Sequence, residues 1–75
     1  MRDWLKKHRD ERGLTQEETA YLSGISRSYY TQIEQGNKTP TVEVAKSIAK
    51  TLKFEWVNFF NQERSLKELN SKKVV

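Results

Sequence analysis

Residues 15–36 read TQEETAYLSGISRSYYTQIEQG, and this stretch decides the fold. Thr15 and Glu18 have the spacing of a capping box, in which each side chain accepts a hydrogen bond from the backbone N–H of the other residue. A helix is therefore expected to begin after Thr15 and to run to about Ser23. Gly24 follows, and glycine readily adopts the positive φ that a tight turn requires. The stretch thus predicts a short helix that ends in a turn.

A second helix is predicted directly after this turn. Ser26 is an N-cap candidate, and Ile25 and Tyr30 have the spacing of a hydrophobic staple around it. The helix is expected to end near Gln35, with Gly36 as its stop. Two short helices joined by such a turn can present one helix to the major groove of DNA, where each base pair has its own pattern of donors and acceptors.

The rest of the chain also divides into segments of helical length. The first, about residues 2–12, is rich in helix-forming residues and stops at Gly13. A fourth helix is expected around Pro40, with either Thr39 or Thr41 as its cap. Apolar residues on one face of that helix repeat at the spacing of a buried stripe: Ala45, Ile48, Ala49 and Leu52. No segment alternates apolar and polar residues as a half-buried strand does, so the sequence predicts helices throughout.

Composition limits the classes of function. The chain has 75 residues, too few for two domains, and its net charge of +4 suits a polyanionic partner such as nucleic acid. It has no cysteine and one histidine, so no disulfide, metal site or cofactor is expected. No apolar run has the length of a membrane span or a signal peptide, which favours a cytoplasmic protein. The sequence shows no nucleophile with its base, no phosphate loop and no metal cluster, so nothing in it indicates an enzyme.

These signals together resemble the helix-turn-helix family of Cro and cI-type repressors (XRE-like). The matching residues, in chain order, are Gly13-Leu14-Thr15-Gln16-Glu17, Ala20, Gly24-Ile25-Ser26, Gln32-Ile33-Glu34-Gln35-Gly36, Pro40, Ile48-Ala49 and Phe59-Phe60. The resemblance covers about residues 2–60. It implies an all-α, five-helix phage-repressor-like domain in residues 1–61, with the helix-turn-helix at helices 2 and 3. Residues 62–75 are expected to form a polar tail or a helix extension.

The resemblance also implies which residues face DNA. Helix 3 becomes the recognition helix, and its base-contacting residues are Arg27, Ser28, Thr31 and Gln32. The residues expected at phosphates are Thr15, Gln16, Ser26, Tyr29, Asn37 and Lys38. Arg27 can pair with guanine O6 and N7, and Gln32 with adenine N6 and N7. Without the family, a solvated helix face would be the favoured interpretation of Arg27, Ser28 and Gln32.

Structural roles are expected for two further groups of residues. In the family, an arginine of the first helix pairs with the glutamate of helix 3, which implies an ion pair between Arg9 and Glu34. The aromatic residues of the fifth segment, Trp56, Phe59 and Phe60, either form a dimer surface or complete the core.

Some positions depart from the family pattern and leave core details open. The departing residues are His8, Thr19, Tyr30, Lys53 and Glu55. The ring of Tyr30 could fill the space that Thr19 leaves.

The resulting hypothesis is a transcriptional repressor that binds a pseudo-palindromic double-stranded DNA operator as a homodimer. Two alternatives stay open. An antitoxin of the same fold would also bind a protein partner, through the aromatic fifth segment or the tail. A protein-interaction module would not bind DNA, and its activity would not depend on Arg27 or Gln32.

Overall fold

Helices make up most of residues 1–60, which are the residues that the computed structural model describes. They are α1 (Asp3–Arg12), α2 (Gln16–Ser23), α3 (Arg27–Gln35) and α4 (Val42–Leu52). Residues 58–60 are also helical and are labelled α5. Residues 1–60 contain no strand. The all-α, five-helix class is therefore confirmed, whereas the expected tail at residues 62–75 lies outside the described residues.

Side-chain caps fix where the helices begin. Thr15 Oγ1 accepts from the Glu18 N–H at 3.0 Å, and Glu18 Oε1 accepts from the Thr15 N–H at 2.9 Å, so the predicted capping box is present. Ser26 Oγ caps α3 by accepting from the N–H of Tyr29 at 3.1 Å. Thr41 caps α4 and accepts from the N–H of residue 44 at 3.2 Å. Each cap contributes about 1 kcal/mol to stability.

The turn between α2 and α3 depends on a left-handed residue. Gly24 has a φ of 76°, and its N–H donates back to the carbonyls that end α2. Lys53 takes the same conformation after α4, with a φ of 64°. The Cβ of a non-glycine residue there costs on the order of 1–3 kcal/mol. Lysine at position 53, where the family pattern has glycine, therefore leaves the chain geometry intact but places local strain at the end of α4.

The core lies where α2 packs against both α3 and α4. Its buried members come from every helix: Leu5, Ala20, Tyr30, Ile33, Ala45, Ile48, Leu52 and Phe59. The predicted stripe of α4 is buried in full. Because α2 supports α3 from behind, the opposite face of α3 is turned outward.

An aromatic cluster joins α1 to the chain after α4. The ring of Trp4 lies edge-on to Phe54 and Phe59, with centroids 5.3 and 5.1 Å apart, and the His8 ring stacks on Phe54 at 4.9 Å. Phe59 is 0% exposed. It is thus a core residue, and the expectation that Phe59 lies on a dimer surface is corrected. Trp56 and Phe60 remain half-buried on the outside of this cluster.

Candidate nucleic-acid interface

The outward face of α3 carries the predicted base-contacting residues. Arg27 and Ser28 are exposed, and Thr31 and Gln32 are half-buried. One helical turn separates the first pair from the second, so the four side chains share a face. The other face of α3 is buried through Tyr30, Ile33 and Glu34. Helix α3 therefore presents a polar surface that is held rigidly from behind.

The N-terminus of α2 begins the helix-turn-helix, and the N-terminus of α3 directly follows its turn. An N-terminus offers backbone N–H groups and a positive helix dipole, both of which attract phosphate oxygens. Thr15 and Ser26 accept hydrogen bonds in their caps, so their own O–H groups can still donate outward. Tyr29 is half-buried against the core, so only part of its ring is accessible.

Glu34 is the centre of a hydrogen-bond network that joins three helices. Its carboxylate is 0% exposed. Arg9 Nε donates to Oε2 at 2.8 Å, and the Tyr30 hydroxyl donates to the same oxygen at 2.8 Å. The Gln16 amide Nε2 donates to Oε1 at 2.7 Å. The structure thus brings Arg9 and Glu34 together as an ion pair and adds two neutral donors to it.

The environment of this network keeps Glu34 ionised. Burial alone would raise the pKa of Glu34, but donors from Arg9, Gln16 and Tyr30 outweigh it, and the net pKa is lowered. The hydrogen bond to Glu34 raises the pKa of Arg9. Burial, followed by the hydrogen bond to Glu34, raises the pKa of Tyr30. The buried carboxylate therefore acts only as an acceptor.

A pH dependence of stability follows from Glu34. Because its folded pKa lies below the ordinary value of 4.5, the unfolded chain takes up the proton first as the pH falls. This contribution to stability is full above the unfolded pKa and is lost as the pH falls through the folded pKa. In urea unfolding between pH 6 and pH 3, the free energy of unfolding is expected to decrease as the pH is lowered, and to decrease less steeply for Glu34→Gln than for the unmodified protein. Equal slopes would contradict this role.

The network also reaches the outer face of α3. The hydroxyl of Thr31 donates to Gln16 Oε1 at 3.0 Å. Gln16 is half-buried between Glu34 and Thr31, so the residue expected at a phosphate already has two internal partners. One of its two amide hydrogens is used by Glu34, and the second is the one that can donate to a phosphate. Nothing in the spacing of Gln16, Thr31 and Glu34 along the chain indicates this second set of contacts.

Arg2 holds the loop that follows α3. Its guanidinium donates to the carbonyls of Ile33 and Lys38, and its cationic carbon lies 5.7 Å from the centroid of the Phe59 ring. A cation at the carbonyl end of a helix is favoured by the helix dipole. Nothing in the position of Arg2 along the chain indicates a contact 36 residues away.

The expected phosphate residues of that loop are both exposed. Asn37 Nδ2 donates to Gln35 Oε1 at 3.3 Å, and Lys38 extends outward. Because Arg2 binds the carbonyl of Lys38, the backbone of this basic residue is fixed relative to α3. The loop therefore continues the polar surface beyond α3.

Trp56 and Phe60 form a separate surface. Their ring centroids lie 6.0 Å apart, and Lys46 Nζ lies 5.1 Å from the Trp56 ring. Both rings pack partly on the core and stay half-buried. None of the helices in residues 1–60 is long and apolar enough to span a membrane.

Comparison with known proteins agrees with this architecture. The family model HTH_3, described as Helix-turn-helix, matches residues 5–57. The chain is similar to the uncharacterized HTH-type transcriptional regulator YqaF of Bacillus subtilis (strain 168), with 49% identity over 72 residues, which are 96% of this chain and 95% of that protein. An uncharacterized HTH-type transcriptional regulator of Methanothermobacter thermautotrophicus is 40% identical over 52 residues, 69% of this chain and 75% of that protein.

A solved structure is also similar. The HTH_3 family transcriptional regulator from Vibrio cholerae has a TM-score of 0.67 and 36% identity, over 85% of this chain and 36% of that one. The family model covers most of the chain, and the helix-turn-helix with its polar outer face lies inside the matched residues. The chain therefore belongs to the HTH_3 helix-turn-helix family and is a DNA-binding transcriptional regulator.

Proposed function

We propose that this regulator is a cytoplasmic repressor that binds a pseudo-palindromic operator as a homodimer. The observation that carries the proposal is the outer face of α3, where four polar residues lie on a helix whose other face is buried. Occupation of an operator that overlaps a promoter excludes polymerase, so tight binding alone suffices for repression.

Base recognition is assigned to the two longest side chains of that face. Arg27 is exposed at the first position of α3 and can donate two parallel hydrogen bonds to guanine O6 and N7. Gln32 can pair with adenine N6 and N7 through its amide. A bidentate contact of this kind discriminates against the wrong base by about 1–3 kcal/mol. Ser28 and Thr31, with shorter side chains, would contact neighbouring base edges.

Phosphate contacts are assigned to the borders of the same surface. The residues that support them lie at the helix N-termini and in the loop after α3: Thr15, Gln16, Ser26, Tyr29, Asn37 and Lys38. Contacts of cations with phosphates release counterions, so the logarithm of affinity should fall with the logarithm of salt concentration, at a slope of about −0.9 per neutralised phosphate. A slope near zero would contradict the proposal.

The dimer surface is assigned to Trp56 and Phe60. Their half-buried rings leave apolar area beside α4, which a second copy could cover. A dimer that reads one face of DNA must set its two recognition helices about 34–36 Å apart, one helical turn of the duplex. An inverted repeat with that half-site spacing is therefore expected in the operator.

The test is selection of tight binders from a random duplex library with the purified protein, followed by sequencing. An inverted repeat with half-sites about one helical turn apart is the expected result. Recovery of no motif, with only weak salt-sensitive binding, would overturn sequence-specific repression and would favour a partner-dependent protein such as an antitoxin.

One substitution gives a direct measure of base recognition. Arg27→Ala is expected to weaken operator binding by about tenfold or more and to relax selection for guanine at one position of each half-site, because it removes the bidentate donor. Lys50→Ala is the matched control, since it removes one exposed positive charge from α4. Fluorescence anisotropy with labelled operator measures both. Equal effects of the two variants would show that Arg27 contributes charge only.

A further inference from the structure

The hydrogen bonds that link Glu34, Gln16 and Thr31 have a fixed direction. An ionised carboxylate can only accept, so Gln16 must turn its NH2 group toward Glu34 Oε1, 2.7 Å away. The opposite orientation of the amide would set two acceptor oxygens against each other. The Gln16 carbonyl oxygen therefore faces the Thr31 hydroxyl at 3.0 Å, and Thr31 must donate to it.

This direction changes what Thr31 offers to its surroundings. A threonine hydroxyl has one hydrogen and two lone pairs, and it ordinarily serves as donor or acceptor as the partner requires. In this protein the hydrogen is used by Gln16, so only lone pairs remain. Arg9 and Tyr30 both donate to the other carboxylate oxygen of Glu34, which holds the carboxylate in place. The orientation therefore originates in the core and is transmitted to the surface.

We propose that Glu34, acting through Gln16, makes Thr31 a hydrogen-bond acceptor toward DNA, so that the base opposite Thr31 is adenine or cytosine. In the major groove these two bases carry exocyclic amino donors, N6–H of adenine and N4–H of cytosine, whereas guanine and thymine offer the acceptors O6, N7 and O4. This inference rests on the proposed function, because it needs Thr31 to face a base. Gln16 and Glu34 are positioning residues in it.

The magnitude of the preference follows from one hydrogen bond. Where guanine or thymine faces Thr31, two acceptors meet and neither is satisfied. One hydrogen bond between neutral groups contributes about 1 kcal/mol, so adenine or cytosine is expected to be favoured roughly fivefold at that position. The rest of the operator is unaffected.

Four variants test the inference by the selection described above. Thr31→Val removes the hydroxyl and is expected to abolish the preference at one position of each half-site, which identifies the position. Thr31→Ser keeps the hydroxyl and is expected to restore the preference. Gln16→Met frees the hydroxyl to donate, so guanine and thymine should become as frequent there as adenine and cytosine. Gln32→Met, the matched control, should relax a different position. Circular dichroism melting checks that each variant is folded.

The outcomes separate this inference from the proposed function. Recovery of no motif with the unmodified protein overturns the proposed function. A motif with guanine or thymine at the Thr31 position overturns the inference alone. Thr31 must in that case donate through its hydroxyl or contact the base through its methyl group. An unchanged preference in Gln16→Met, or no position affected by Thr31→Val, also overturns it while the operator still stands.

Discussion

Arg9→Met is expected to lower the free energy of unfolding by about 3–5 kcal/mol. Glu34 is 0% exposed, and Arg9 is its cationic partner in the network. Methionine keeps the apolar stem but leaves a buried carboxylate with only the neutral donors Tyr30 and Gln16. A small domain has roughly 5 kcal/mol of stability, so the variant is expected to be partly unfolded at 37 °C.

Urea unfolding followed by circular dichroism measures this loss. The matched control is Lys6→Met, which breaks the exposed ion pair between Lys6 and Asp10 at 2.9 Å. Exposed pairs contribute at most about 1 kcal/mol, so the control should be nearly as stable as the unmodified protein. Arg9→Met combined with Glu34→Leu is expected to recover part of the loss, since the buried carboxylate is then removed together with its cationic partner. A loss below about 1 kcal/mol in Arg9→Met would show that water reaches the carboxylate.

Phe59→Ala is expected to cost about 3–5 kcal/mol of stability, the range for a large aromatic removed from a packed core. The ring is 0% exposed and contacts Trp4 and Phe54 edge-on, while Arg2 lies over it. The cavity would therefore lie where α1, the end of α4 and the start of α5 meet. Arg2 would also lose a contact that helps to hold the loop after α3.

Phe60→Ala separates the core from the proposed dimer surface. Phe60 is half-buried, so its loss should cost much less stability than that of Phe59. If the patch of Trp56 and Phe60 is the dimer surface, sedimentation should show Phe60→Ala shifted toward the monomer while it remains folded. Equal stability losses at residues 59 and 60 would contradict this division.

Local signals in the sequence were sufficient for the starts of α2 and α3 and for the buried face of α4. The capping box at Thr15, the cap at Ser26 and the buried stripe of α4 are all present. These features depend on neighbours within a few residues, which the sequence displays directly. The cap of α4 could not be chosen in this way, because Thr39 and Thr41 are the same residue type. The structure selects Thr41, and Pro40 is buried ahead of the helix.

Contacts between helices were harder to predict. The approach of Arg9 to Glu34 was expected from the family resemblance, but the hydroxyl of Tyr30 and the amide of Gln16 at the same carboxylate were not. Which polar atoms meet depends on how α2 crosses α3, and spacing along one helix carries no information about that. Arg2 was missed for the same reason. The hydroxyl of the buried Thr19 finds its partner locally, because it donates to the Thr15 carbonyl at 2.9 Å.

The asymmetry within the outer face of α3 bears on how such a regulator diverges. Among the described residues, the side chains of Arg27, Ser28 and Gln32 make no hydrogen bond to the rest of the protein, whereas Thr31 is joined to the core through Gln16. Mutation can therefore explore new operators at three positions with little loss of folding. A change at the fourth also removes a partner of the Gln16 side chain, so duplicated copies of such a gene would acquire separate targets first through residues 27, 28 and 32.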